Sequence, residues 1–455
     1  MHIALITAGG AGMFCGSCMH DNTWARGLRA TPGVDVTLIP TYTPIRVDEE
    51  NVSVDRVFLG GLNIYLEHKY PFWRKLPGPV RHLLDSPRLI NLATRFSISN
   101  NARELGELTI EMLRGEAGPQ QREIQELVEF LAGTLKPDVI CFSNALLAGV
   151  VPALRERFDG PIFCTLQGDD IFLRDLPEPY ASQAIEMISD HARGFDGYLV
   201  HSRFYRDFMS RYLRLPADKF HLLPLGIDLR GHDGRPELRN NGAFTIGYFA
   251  RVCKEKGLHQ LVEAVKLLHR RRPGVRVRAG GYLGPRDRGY FREIQRSARE
   301  LGSAFEYVGS PATQAEKIAF LKSVDLLSVP TVYEEPKGIF VVESLANGAP
   351  VVQPQHGAFP EMIERTGGGL LVPPGDAQAL ASALEELVLD GDRRLHLART
   401  GHGNVHEHFS EKALAQATVQ IFRNSPARPD GMSSTNGSTA ADHADRSVLR
   451  ARRDA

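Results

Sequence analysis

The hydrophobic positions of the chain fall into short continuous runs, separated by longer stretches with an apolar residue every three or four places. In the first half the runs are "HIALIT" (2–7), "VDVTLIP" (34–40), "DVICFS" (138–143), "PIFCTLQ" (161–167), "GYLVHS" (197–202) and "KFHLLPL" (219–225). In the second half they are "FTIGYFA" (244–250), "VRVRAG" (275–280), "AFEYVG" (304–309), "DLLSVP" (325–330), "PVVQPQ" (350–355) and "GLLVPP" (369–374). Runs without polar alternation predict strands covered by helices on both faces, as in parallel sheets. Helical patterns such as 256–271 and 376–390 lie between them. Two successive βαβ arrays therefore predict an α/β chain with two doubly wound sheets. The pattern lapses over 227–243, where Gly, Pro, Asn and charge replace the apolar positions and mark a boundary. The expected division is a first domain over 1–230, with a helical insertion at about 56–134, and a second over 231–405. A C-terminal helix over 406–423 is expected to pack back on the first domain. The tail, 424–455, is too polar to order.

Composition narrows the function classes. At 455 residues the chain is long enough for two or three domains. Lys+Arg and Asp+Glu both number 54, so the net charge is zero, which argues against a nucleic-acid partner. No apolar run approaches the roughly 18 residues of a membrane span. The first residues lack the basic region and cleavage site of a secretory signal and read as a first strand. Five cysteines, an odd and low number, predict a reduced, cytoplasmic protein.

The stretch "YEEPKGIFVVESLANGAPVV" (333–352) places Glu335 and Glu343 eight residues apart. In one continuous helix they would be turned by roughly 80° from each other. Pro336, suited to a first helical turn, predicts a helix starting there, with Glu335 just ahead of it and Glu343 about two turns inside. Gly338 keeps the approach to the helix start open, where backbone N–H groups favour a phosphate. An acceptor, a phosphate site and a second acceptor in line suit a sugar, a diphosphate and a ribose. Gly348 is placed to end the helix.

The run E-P-K-G-I-F-V-V-E resembles the E-x7-E motif of the retaining glycosyltransferases of family 4, which have the GT-B fold, two Rossmann-like domains facing across a cleft. The resemblance gives Glu335 the hydroxyls of the transferred sugar and Glu343 the ribose of the nucleotide, with Lys337 and Gly338 also at the donor. "FARVCKEKGLHQLVEAV" (249–265) is similar to the family's G-R-L-x-x-E-K-G segment, so Arg251 and Lys256 are implied to hold the donor diphosphate. A cation at a strand end and a second at the following helix start can converge on one pyrophosphate. Ala250 stands where the family usually has Gly. "QHGAFPEMIE", "GGGLLVPPGD" and "LPLGID", with Leu225 for Asn, extend the similarity over nearly all of 195–390. It implies a retaining hexosyltransferase with a nucleotide-sugar co-substrate, no cofactor and no metal. The acceptor stays open among a glycan, a lipid-linked molecule and a small molecule.

The first domain matches more loosely. Gly9, Gly10 and Gly12 follow the first strand, where the family has a Gly-rich loop near donor phosphates and acceptor. The spacing equally suits a tight strand-to-helix turn and is not the G-x-G-x-x-G fingerprint. Gln167 in "TLQGDDIFL" stands where the family often has a His that contacts the transferred sugar. An amide cannot titrate, so Gln167 fits positioning rather than acid–base work. Asp169 and Asp170 beside it are expected to point apart on a strand rather than to share a metal. His201 and Arg203 either face the cleft or begin a helix. Cys15 and Cys18 have no second ligand pair and are assigned to packing and loop geometry. "HKYPFWRKLPGPVRHLL" (68–84) suits a helical pair with inward aromatics, or a peripheral contact with the inner face of an anionic membrane. Two rival functions remain, a non-hydrolysing nucleotide-sugar epimerase and a non-catalytic sugar-nucleotide-binding protein.

Overall fold

The structure, a computed structural model, describes residues 1–9, 16–60, 102–238 and 243–425. Each of the twelve apolar runs contains a strand. The first six, β1 (His2–Thr7), β2 (Asp35–Pro40), β3 (Val139–Phe142), β4 (Ile162–Thr165), β5 (Gly197–Val200) and β6 (Phe220–Leu222), form one parallel sheet in the order β2-β1-β3-β4-β5-β6. The absence of polar alternation follows from cover on both faces. Ile6, Ile140, Phe142 and Ile162 enter one core, and Ile3, Leu5, Cys141 and Phe163 enter another behind it.

The second six are β7 (Phe244–Phe249), β8 (Val275–Gly280), β9 (Phe305–Tyr307), β10 (Leu326–Leu327), β11 (Val351–Pro354) and β12 (Gly369–Val372). They too are parallel, in the order β12-β11-β10-β7-β8-β9. The chain runs outward from β7 on one side and from β10 on the other, so a crevice opens beyond the carboxyl ends of these two strands. In the first sheet the equivalent point lies beyond β1 and β3.

Helix Glu411–Arg423 returns to the first domain and packs on helix Gly16–Arg29. There the Trp24 indole N–H donates to Thr418 Oγ1 at 2.9 Å, and the Phe422 ring lies 4.7 Å from that of Phe163. Of the expected insertion, helices Ala102–Leu113 and Gln121–Glu129 are described. The 68–84 segment, Gly10, Gly12, Cys15 and the tail from 426 lie outside the described residues. Among those described, no helix is long and apolar enough to cross a membrane.

Candidate active site

The segment after β10 carries Glu335 and Glu343, and Gly257 sets where it lies. At φ +72°, Gly257 precedes helix Leu258–Arg271, and a Cβ there would fall 1.8 Å from the Pro330 carbonyl oxygen. Only glycine lets the loop after β7 pass this close to the end of β10. The passage brings Lys256 against the 333–335 segment. Its ammonium donates to Glu335 Oε2 at 2.5 Å and to the Tyr333 hydroxyl at 2.6 Å, and the Tyr333 hydroxyl donates to the same Glu335 oxygen at 2.6 Å. The Tyr333 and Phe340 rings lie 5.0 and 5.5 Å from the ammonium.

Glu335 also turns back on the chain that follows it. Its Oε1 accepts the backbone N–H of Gly338 at 3.2 Å and that of Lys337 at 3.4 Å. The helix therefore begins at Ile339, not near Pro336 as expected, because Gly338 takes φ +67° and the carboxylate closes the turn ahead of it. A Cβ at Gly338 would meet Met362 Sδ and a Phe359 ring carbon, both at 3.0 Å. Burial works against the Glu335 charge. Lys256, Tyr333 and the Gly338 N–H outweigh it and hold the carboxyl below its ordinary range.

Glu343 sits inside helix Ile339–Ala346 with its side chain buried. Its Oε1 pairs with Lys317 at 2.9 Å, and Lys317 pairs in turn with Asp48 of the first domain at 2.8 Å. Burial drives the Glu343 carboxyl upward, and Lys317 restrains it only in part. Gly348, at φ +78°, follows the helix end, with its N–H on the Leu345 carbonyl at 3.0 Å. Arg251 lies two residues beyond β7 with its side chain half exposed. Its Nε reaches Cys253 Sγ at 3.3 Å and its Nη2 lies 4.0 Å from Glu255, so it does not join Lys256 at Glu335.

Lys337 crosses to the first domain. Its ammonium donates to Gln167 Oε1 at 2.9 Å and lies 3.2 Å from Ser17 Oγ. The Gln167 amide is oriented from behind, since its Nε2 donates to Asp21 Oδ1 at 2.9 Å and to the Ser143 carbonyl at 3.1 Å. Asp21 accepts Thr7 Oγ1–H on its other oxygen at 2.7 Å. The carboxyl ends of both sheets thus meet, with Gln167 opposite the Glu335 turn.

Asp169 and Asp170 open the short helix Asp169–Arg174, a correction to their expected place on a strand. Asp169 accepts the backbone N–H groups of Ala145 at 2.6 Å and Gln167 at 2.9 Å, while Asp170 accepts the Tyr205 hydroxyl at 2.7 Å. Both brace the first domain's loops. Burial, eased by those N–H bonds, pushes the Asp169 carboxyl up to about 6. Among the described residues, no group of three or more His, Cys, Asp or Glu is placed to hold a metal.

Arg203 begins helix Arg203–Tyr212, capped by Ser202. Its backbone N–H and that of Phe204 donate to Glu361 of the second domain at 2.9 and 2.6 Å. His201 is buried, its ring 4.6 Å from that of His20. Cys18 is buried in helix Gly16–Arg29. Tyr333, Lys317 and Asp21 went unnoticed in the sequence. Tyr333 alone had a signal there, a phenol two residues ahead of the first glutamate.

Residues 233–403 match the family model described as glycosyl transferases group 1. Among curated relatives, the lipopolysaccharide core biosynthesis glycosyltransferase LpsE of Rhizobium meliloti is 33% identical over 177 residues, which are 39% of this chain and 48% of that protein. The D-inositol 3-phosphate glycosyltransferase of Corynebacterium urealyticum is 29% identical over 41% of this chain and 45% of its own length. The chain thus spans about half the length of these relatives. Two solved structures extend the likeness to both domains. Sucrose-phosphate synthase from Thermosynechococcus elongatus superposes with a TM-score of 0.69 at 19% identity, covering 93% of this chain and 98% of that one. Anabaena HepE in complex with UDP superposes with a TM-score of 0.65 at 16% identity, covering 93% and 100%. At such identities the likeness speaks for the fold, two parallel six-stranded sheets in the GT-B arrangement. Over residues 233–403 the chain therefore matches the model for glycosyl transferases group 1, and its two sheets have the GT-B fold.

Proposed function

We propose that the protein is a retaining glycosyltransferase that moves a sugar from a nucleotide-sugar donor to an acceptor hydroxyl. The observation that carries this reading is the Lys256–Tyr333–Glu335 cluster at the crevice of the second sheet, with Gln167 of the first domain facing it and Lys337 spanning the cleft between them. It joins a buried, ionised acceptor suited to sugar hydroxyls with a cation suited to a diphosphate.

Arg251 and Lys256 take the diphosphate in this reading, Glu335 the sugar hydroxyls and Glu343 the ribose. Gln167 positions the sugar from the other domain. The glycosidic C1–oxygen bond to the diphosphate breaks, and the acceptor oxygen bonds C1 on the same face. The acceptor proton passes to the departing diphosphate oxygen, so the step needs no protein nucleophile. Catalysis then rests on placing the two substrates and on stabilising the diphosphate as its charge develops. The glycosyltransferase reading draws support from the relatives' names, and the nucleotide-sugar choice from HepE, whose structures hold UDP and UDP-glucose.

A thermal-shift panel of UDP-, GDP- and ADP-sugars tests the reading. The matching donor at 100 times its dissociation constant stabilises by about 2.7 kcal/mol. A chain that answers to none of the three is not this enzyme.

A further inference from the structure

Lys317 is a lysine on a helix face otherwise filled by Ile318, Phe320 and Leu321. Its side chain is 8% exposed, and the Glu343 and Asp48 side chains it touches are 9% exposed each. A buried cation shared by two buried acids costs desolvation three times over, and packing gains nothing by it that an apolar residue would not supply. The second acid comes from the other domain. Asp48 also accepts, through its carbonyl, the backbone N–H of Gln314 at the start of helix Gln314–Lys322 at 3.3 Å, while its Oδ1 is buried and unpartnered.

We propose that Lys317 is the positioning residue of the nucleotide site. By pairing with Glu343 Oε1 it keeps that carboxylate charged and turned for a ribose, and by pairing with Asp48 it makes the first domain part of the same site. The inference rests on the nucleotide-sugar reading above, which assigns Glu343 to the ribose.

The surroundings leave Lys317 as the cation that holds the Glu343 charge. Burial alone drives the Glu343 carboxyl up, and Lys317 is what opposes it, while Asp48 drives it further up. Two further titratable groups feel the Lys317 charge. His232, whose Nδ1 meets the Asn347 amide at 2.8 Å beside the Glu343 carbonyl, is depressed to about 4 by burial first and is neutral throughout a neutral assay. Glu49, raised to about 7 by burial first, titrates within it. Without Lys317 the burial of Glu343 goes unopposed, so the carboxyl holds a proton more readily and then presents one donor where the ribose hydroxyls need acceptors.

The test measures affinity for whichever of UDP, GDP and ADP the wild-type protein binds, from pH 6 to 9, and takes the ratio of variant to wild type so that the ligand's own ionisation cancels. Lys317→Met is expected to bind more weakly, by about tenfold for a lost buried charge pair worth about 1.4 kcal/mol, with the loss greatest at the acid end of that range and shrinking as the pH rises. Lys317→Arg keeps the charge and is expected to stay within a few-fold, with a flat ratio. Repeating both in a Glu49→Gln background removes the neighbouring acid that titrates in the same range. A flat ratio for Lys317→Met overturns the inference even if affinity drops, because a merely structural lysine would lower affinity alike at every pH. If Lys317→Met folds too poorly to assay, Lys317→Arg decides, and the loss expected of methionine appearing there overturns it too. Binding of none of the three by the wild-type chain is a separate result, which overturns the nucleotide-sugar reading itself and this inference with it.

Discussion

Glu335 does two jobs at once, and the residues beside it separate them. One oxygen closes the turn before helix Ile339–Ala346, and the other neutralises Lys256. Glu335→Gln keeps an oxygen for the turn and loses the charge. Turnover of a sugar donor should fall by roughly ten- to a hundredfold, about 1–3 kcal/mol for a mismatched buried hydroxyl. Affinity for the bare nucleoside diphosphate should hold or rise, because Lys256 is released toward the phosphates. Glu343→Gln should weaken donor and bare nucleotide alike. Calorimetric titration of both variants, beside turnover, tells them apart, and equal losses of bare nucleotide would overturn the assigned roles. The Asp169/Asp170 pair calls for the opposite expectation. Both Asp169 oxygens are taken up by backbone N–H groups, and Asp170 is held by Tyr205, so turnover should survive EDTA. A metal-reversible loss would return the pair to the chemistry.

At the scale of elements, the strands were legible because burial on both faces writes itself as an uninterrupted apolar run. Even β10, two residues long, stood out, since Ser328 and Val329 beyond it are buried as well. The helix start at Ile339 was not legible, because a side chain folding back onto N–H groups two and three residues ahead has no spacing signature. Nor were the partners of Lys337 and Lys317, since 170 residues separate Lys337 from Gln167 and the fold alone brings them together. What the sequence did show at the site was local, the glutamate pair and the cation after each strand or turn. Gly257 joins the two levels, as a turn residue whose φ carries Lys256 to Glu335. Gly257→Ala forces a left-handed conformation, at about 1–2 kcal/mol, onto a Cβ that overlaps the Pro330 carbonyl. We expect a destabilisation above that figure and a loss of turnover larger than stability explains, read by denaturant unfolding beside a donor assay. Stability within about 0.5 kcal/mol of wild type would mean that the β10 end yields freely and does not set the Lys256 position.

At the scale of the whole molecule, charged side chains of the described residues reach from one domain to the other. Lys337 meets Gln167, Lys317 meets Asp48, Glu361 meets the start of helix Arg203–Tyr212, and Arg26 meets Asp228 of the link between the domains at 2.9 Å. The Arg26 contact carries a pH dependence. Arg26 also pairs with Glu49 at 2.6 Å, and Thr23 donates to the same carboxylate at 3.1 Å. Burial first, and then the neighbouring Asp228 charge, raise Glu49 to about 7 despite that pairing. An acid raised in the folded state destabilises as the pH climbs, because the unfolded chain releases the proton near pH 4.5 and the folded chain holds it to about 7. Glu49→Gln stays neutral in both states and leaves Arg26 its Asp228 partner. The variant should therefore match wild type most closely near pH 4.5 and gain on it steadily to about pH 7. Above that the gap is constant, a tenfold difference in proton affinity between the two states being worth about 1.4 kcal/mol before the neighbouring charges readjust. Melting temperatures of the two proteins, recorded in parallel from pH 4.5 to 8.5, give the gap directly. A gap that stays constant across that range would mean that Arg26 holds Glu49 as an ordinary carboxylate, and that acid titration at this seam plays no part in keeping the domains together.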